Sequence, residues 1–141
     1  MTDSRDQMNS ALKEIAVPAL RDVGFKGSFP NFYRSSGNHV DLLKFQFRLA
    51  GGSFVVEISF ADSERKNVYI DKEVSISKLR VDQTTKRLRL GASNQAADHW
   101  FDFEKTGFLS RKPDYSGIAH QVVNLVRSKG EGWWRAHQNG S

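Results

Sequence analysis

The chain predicts an α+β fold. It reads as one two-layer domain, an antiparallel β-sheet of four to six strands with an N-terminal and a C-terminal helix packed on one face. Three observations carry this expectation. Apolar and polar residues alternate on both sides of Gly51-Gly52, the pattern of a β-hairpin. Apolar stripes at three- and four-residue spacing stand near the start and near the end of the chain. Short turn-forming segments separate the central strands, and short connections make antiparallel neighbours.

The first stripe comprises Met8, Leu12, Ile15, Ala16, Ala19, Leu20 and Val23, predicting a helix over residues 6–23 with one buried face. Gly24 stands where a left-handed residue ends a helix, and Phe25 can fold back on the last turn. Pro18 lacks the N–H that would reach the Glu14 carbonyl, which predicts a bend or a restart there.

Residues 31–36 read as a strand, and a Gly37-Asn38 loop places Tyr33 opposite Leu42 and Arg34 opposite Asp41. The apolar phase flips between Leu42 and Leu43. Either a β-bulge restores one buried face, or the first half of this strand is covered on both sides. A two-residue loop at Gly51-Gly52 pairs Leu49 with Phe54, Phe47 with Val56, Phe45 with Ile58 and Leu43 with Phe60. The opposite face then pairs Arg48 with Val55, Gln46 with Glu57 and Lys44 with Ser59. A one-residue slip would set Phe45 against Glu57, so burial selects this parity.

Residues 61–67 form a polar connection. Residues 68–76 and 86–90 read as shorter strands about a turn at 82–85, and residues 100–103 as a last strand or a short helix. Residues 106–115 read as loop. A second helix begins after Asp114 or Ser116, carries Ile118, Val122, Leu125 and Val126 as its stripe, and stops at Gly130. Trp133-Trp134 then lie on a short tail, against the open end of the sheet or on a second copy, so the expected state is monomer or homodimer. The single domain spans residues 1–141, with an ordered core at about 6–130.

The 141 residues contain no cysteine, which removes disulfides, iron–sulfur clusters, thiolate zinc sites and cysteine nucleophiles, and suits a reducing cytoplasm. The opening MTDSRDQMNS has no apolar run of the kind a signal peptide needs, and no stretch approaches a membrane span. Four histidines, His39, His99, His120 and His137, show no HxH or HxxxH spacing, so no metal site is expected, although His39 and Asp41 share one face of a strand. No phosphate-loop, dinucleotide or nucleophile-elbow motif occurs. Gly51-Gly52 is followed by a strand rather than a helix, so it does not cradle phosphate. The expectation is a module without cofactor or catalysis.

The run LKEIAVPALRDVGFKGSFPNFYR, residues 12–34, resembles the opening of a bacterial family of domains of unknown function, number 4304 in its series. That family begins with a helix ending in Gly-Phe-Lys, followed by an aromatic-Tyr-Arg strand. Gln46 within LLKFQFRL matches a glutamine of its next strand. RLRLGAS and DHWF are similar to its Arg-rich strand and the Asp-x-Trp that follows. The resemblance covers residues 10–128 and implies the fold; it implies no reaction and no catalytic residue.

Two polar groups are candidate binding surfaces. The first is the polar hairpin face, Lys44, Gln46, Arg48, Glu57 and Ser59, which forms a pocket around Glu57 if a loop covers it and otherwise makes ordinary cross-strand pairs in solvent. The second is a basic strip, Lys78, Arg80, Lys86, Arg87 and Arg89, relieved by Asp82, with Tyr69, Trp100, Trp133 and Trp134 as stacking platforms for bases. The alternative places Trp100 in the core and leaves the charges to solubilise an edge strand. With a formal charge of +5, the partners to expect are a protein or a nucleic acid. A toxin-antidote role is a third possibility, although the positive charge suits a nuclease partner poorly.

Overall fold

The structure, a computed structural model, describes residues 3–62, 64–68, 74–104 and 113–138. The expected architecture is present: an open antiparallel sheet with both long helices on one face. Strands β1 (Lys26–Ser28), β2 (Asn31–Ser36), β3 (His39–Phe47), β4 (Ser53–Asp62) and β5 (Arg87–Arg89) follow one another across the sheet, and β6 (Phe101–Asp102) also pairs with β4. β1 is an addition to the strands read from the sequence, joined to β2 through a cis Phe29-Pro30 peptide.

The N-terminal helix is α-helical over α1 (Ser4–Ala11), widens into a π turn at Leu12–Ala16, and returns to α geometry in α2 (Val17–Asp22). Pro18 therefore neither breaks nor restarts it. The wider turn sits just before the proline, where Val17 N–H donates to the Leu12 carbonyl five residues back, and Pro18 falls in the first turn of α2, where a missing N–H is tolerated. At the far end Gly24 takes φ +100°. Its N–H donates to the Arg21 carbonyl (3.0 Å) and that of Phe25 to the Leu20 carbonyl (3.0 Å), a Schellman motif that buries Phe25.

Strand β2 pairs with β3 as its turn chemistry demanded, Tyr33 opposite Leu42 and Arg34 opposite Asp41. The β3–β4 hairpin keeps the expected parity but shifts its pairs by two: Phe47 faces Phe54, Phe45 faces Val56 and Leu43 faces Ile58. The loop is wider than two residues. Arg48 N–H donates to the Ser53 carbonyl and Gly51 N–H to the Arg48 carbonyl, both at 2.9 Å, so the turn centres on Leu49 and Ala50. Leu49 is fully exposed rather than paired with Phe54. The cause lies on the other edge of β4, where the Gly52 carbonyl accepts from Phe103 N–H (2.9 Å) and extends the β4–β6 pairing. Gly52, at φ +86°, serves that contact and not a tight loop.

No bulge interrupts β3; the second alternative holds instead. Leu43 and Phe45 face the helices in the main core, while Val40 and Leu42, beside Ala61 of β4, are covered on the outer face by Leu79 and Val81. The covering segment is not the strand expected over 68–76. Val68 makes an isolated bridge to Thr84, Ile76–Lys78 and Val81–Gln83 are 3₁₀ turns, and residues 69–73 lie outside the described residues, as does most of the loop expected over 106–115.

The C-terminal helix starts on Asp114, whose carboxylate accepts Gly117 N–H (2.9 Å). It runs through α3 (Tyr115–Leu125), a π turn at Val126–Gly130 and α4 (Glu131–Gln138). Gly130 does not end it. That glycine is buried beneath the Trp134 ring, and a Cβ there would lie 3.3 Å from the ring. Trp134 is wholly buried, donates Nε1–H to the Ser59 carbonyl (2.9 Å) and packs on Phe25 (5.2 Å between ring centroids). The tail expected after Gly130 is thus the helix turn that clamps the sheet.

This register makes opposite demands on two residues of the hairpin. Phe45→Ala should lower unfolding free energy by about 3–5 kcal/mol, whereas Leu49→Ser should stay within about 0.5 kcal/mol of the parent chain. Urea denaturation of both variants checks this; a large loss at Leu49 would contradict the wide turn.

Candidate functional site

The outer face of the sheet gathers residues from both sequence-predicted groups. Glu57 in β4 lies between Lys44 of β3 and Arg89 of β5. It is 6% exposed, accepts Arg89 Nε–H at 2.7 Å, and has Arg87 at 3.7 Å. A cleft of about 320 Å³ opens over it, lined by Glu57, Thr85, Arg87, Arg89, Gln95 and Asp98. Lys44 pairs instead with Asp82 of the 3₁₀ segment (2.6 Å). The Arg89 guanidinium lies 5.6 Å from the ring of Trp100, which is 44% exposed and so not a core residue.

The remaining members scatter. Gln46 is exposed and faces Val55, not Glu57, because of the two-residue shift of pairing. Arg48 is exposed in the turn. Ser59 is wholly buried, and its hydroxyl finds no hydrogen-bond partner among the described residues. The basic residues do not form one strip on adjacent strands. Lys78 and Arg80 stand on or beside 3₁₀ turns, and Arg80 donates to the Ser77 and Leu79 carbonyls. Arg87 donates to the Thr84 and Asp82 carbonyls. Lys86 is exposed and makes no ion pair among the described residues. Glu57 therefore offsets part of the charge of Arg87 and Arg89, while the carbonyl contacts fix the directions of Arg80 and Arg87 without neutralising them. Trp134 is buried against Phe25, Trp133 is partly buried with its ring edge-on to Phe60, and Tyr69 lies outside the described residues.

A second polar cluster lies at the open end of β3. Arg34 donates Nε–H to Asp41 (2.9 Å) and holds both Glu131 oxygens (2.6 and 3.0 Å) and the Val23 carbonyl (3.0 Å). Its guanidinium lies 4.5 Å from the Phe25 ring and 5.2 Å from Trp134. Burial works against the Arg34 charge, but the hydrogen bonds to Glu131 and Asp41 outweigh it and hold the proton more firmly than usual. Asp41 has no exposed surface, and burial raises its pKa despite Arg34. His39 Nε2 lies 3.0 Å from the other Asp41 oxygen, close but not aligned as a hydrogen bond. Burial lowers the His39 pKa, against the opposing pull of Asp41.

His39 stacks on Phe60 (5.2 Å), and His137 of α4 lies against the same ring (4.9 Å). Beside them opens a cleft of about 470 Å³ whose wall includes Asp62, Lys66, Asn67 and Lys86. The Arg34–Asp41 pair and the shared face of His39 and Asp41 were legible in the hairpin pattern. Glu131 and His137 were not, because Gly130 reads as a helix stop. Among the described residues no cluster of three or more histidine and carboxylate side chains is arranged to hold a metal ion.

The pieces that carry the sequence resemblance now have places. The Gly-Phe-Lys step is the Schellman cap with the start of β1, and the aromatic-Tyr-Arg run is β2, ending on the arginine that joins both helices to the sheet. The model of the family described as Domain of unknown function (DUF4304) matches residues 16–136. The chain belongs to this family. For the DUF4304 domain seen here, no curated protein and no solved structure provides a match from which an activity could be carried over. None of the helices among the described residues is long and apolar enough to cross a membrane.

Two outcomes follow for the Arg34 cluster. Arg34→Ala strands a buried carboxylate and should lower stability by about 3–5 kcal/mol in chemical denaturation. His39 binds its proton less readily in the fold than in the unfolded chain. Its contribution to stability is thus complete above its ordinary pKa of 6.5 and lost as pH falls through 6.5 toward the depressed value. Denaturation midpoints measured from pH 7.5 to 5.5 should fall less in His39→Phe than in the parent; equal slopes would remove His39 from the balance.

Proposed function

We propose that the chain is a small binding module of the bacterial cytoplasm, without catalysis, and that it engages a protein partner through the outer face of its sheet. The observation that supports this reading is Glu57, an acid nearly closed off from water between two arginines on the floor of an open cleft. An acid–guanidinium pair at the base of a concavity offers an acceptor and several donors in fixed positions, which suits recognition of a polar side chain or a backbone amide. Exposed Gln46, Arg48 and Leu49 continue the surface beyond the cleft with mixed polar and apolar character. Among the described residues no nucleophile stands beside a general base on this face. Ser59 is buried, and its hydroxyl has no partner among the described residues, which leaves it poorly placed to react.

Nucleic acid is the second reading, favoured by exposed Trp100 beside Arg89 and by exposed Lys86, which makes no ion pair among the described residues. Local compensation of the arginines weighs against it. A single-stranded oligothymidine titration separates the two. A protein-binding face should give weak binding with little dependence on salt, whereas a nucleic-acid face should lose affinity steeply between low and high salt, as several released counterions require. For the favoured reading, affinity capture with the parent chain and with Glu57→Ala and Gln46→Ala variants, each checked for folding, should show a partner lost in the variants. Capture by both folded variants as efficient as by the parent would move the site elsewhere.

A further inference from the structure

The cleft between His39 and His137 lies apart from the outer-face cleft and shares only Thr85 with it. Two imidazoles and the ammonium groups of Lys66 and Lys86 line it, with Asp62 as its carboxylate. Lys66 is also held by Glu64 (2.9 Å), and Lys86 makes no ion pair among the described residues. His137 Nδ1 lies 2.8 Å from the Trp133 carbonyl, one turn back on its own helix. As the donor in that contact it leaves Nε2 for the cleft.

His39 supplies the second, independent observation. Its side chain is 9% exposed, and its Nε2 faces an Asp41 oxygen 3.0 Å away, an ion pair once the imidazole is protonated. A phenylalanine would stack on Phe60 equally well, so packing does not account for the imidazole. With Nε2 turned to Asp41, Nδ1 is the nitrogen left for the cleft wall. Asp41 is in turn fixed by Arg34, so the ring is held from behind.

We propose that this cleft binds the phosphate group of a small molecule, free phosphate or a phosphomonoester, between Lys86, Lys66, His137 and His39. A tetrahedral anion with several oxygens suits donors that line one cleft from β3, α4 and the segments holding Lys66 and Lys86, whereas a planar carboxylate has only two oxygens to share among them. The cleft volume of about 470 Å³ exceeds the needs of the anion alone and accommodates an attached group. The proposal stands independently of the outer-face reading.

The test is nuclear magnetic resonance of the full chain, following the imidazole signals of His39 and His137 during titration with inorganic phosphate and, separately, adenosine monophosphate. Sodium chloride at matched ionic strength is the control. Saturable shifts of both imidazoles with phosphate, absent with chloride, are expected. Lys86→Ala and His137→Gln should each weaken binding about tenfold, the loss of one charge-assisted contact. Lys26→Ala on β1 removes the same charge elsewhere and should leave binding within about twofold, since an exposed charge outside the site contributes little. Tighter binding of the nucleotide than of phosphate would identify an ester ligand, and equal binding free phosphate. Absence of saturable shifts, or equal weakening by Lys26→Ala, would overturn the proposal. His39→Phe tests the remaining contact, and because Lys86→Ala and His137→Gln alter half-buried or exposed residues, the outcome does not depend on whether that core variant folds.

Discussion

The guanidinium of Arg34 is the point on which the tertiary structure depends. It joins the end of the N-terminal helix, the buried carboxylate of β3 and the first turn of α4, and it packs against two aromatic rings of the core. Arginine alone offers enough donors in one plane to hold three partners at once while presenting a flat face to Phe25 and Trp134. A buried ion pair is not in itself a strong source of stability, because desolvation offsets much of the attraction. Its value here is geometric. Helices and sheet could otherwise slide over a greasy interface; the charge network admits one arrangement.

That arrangement also explains the separation of the two clefts. The helices cover the face of the sheet that carries Phe45 and Val56, and Trp134 seals its far end. The outer face keeps a small hydrophobic patch under the 3₁₀ segment and, next to it, the ion pairs around Glu57. The formal charge of +5 is thus spread over a surface on which many guanidinium groups already have carboxylate or carbonyl neighbours. Net charge described the composition; pairing decides how much of it a partner would feel.

Much of the fold was legible because it rests on local rules. Alternation assigned the second half of β3 and residues 54–60 of β4 to their correct faces and left Val40 and Leu42 between two alternatives, and the Gly37-Asn38 turn set the β2–β3 pairs to the residue. The β3–β4 pairs moved by two because a contact distant in sequence, Phe103 to Gly52, took the second glycine out of the loop. Gly130 misled in the same way. Its lack of a side chain answers to a tryptophan ring four residues on, not to a helix end, and with the helix cut short there, Glu131 and His137 had no place in the reading. The segment over Val40 and Leu42 escaped because 3₁₀ turns leave no strong periodic mark.

Each long helix carries one π turn, and in both cases the residues beyond it make the decisive contacts. Such a turn holds one residue more than the α geometry needs, so it resets the angular phase of everything downstream. Successive α-helical residues are offset by about 100° around the axis. Excising one residue from 126–130 would turn the final segment by about that angle and carry the indole and the carboxylate away from their partners. Chain length within these helices is therefore quantised by the surfaces they must present, more tightly than residue identity is.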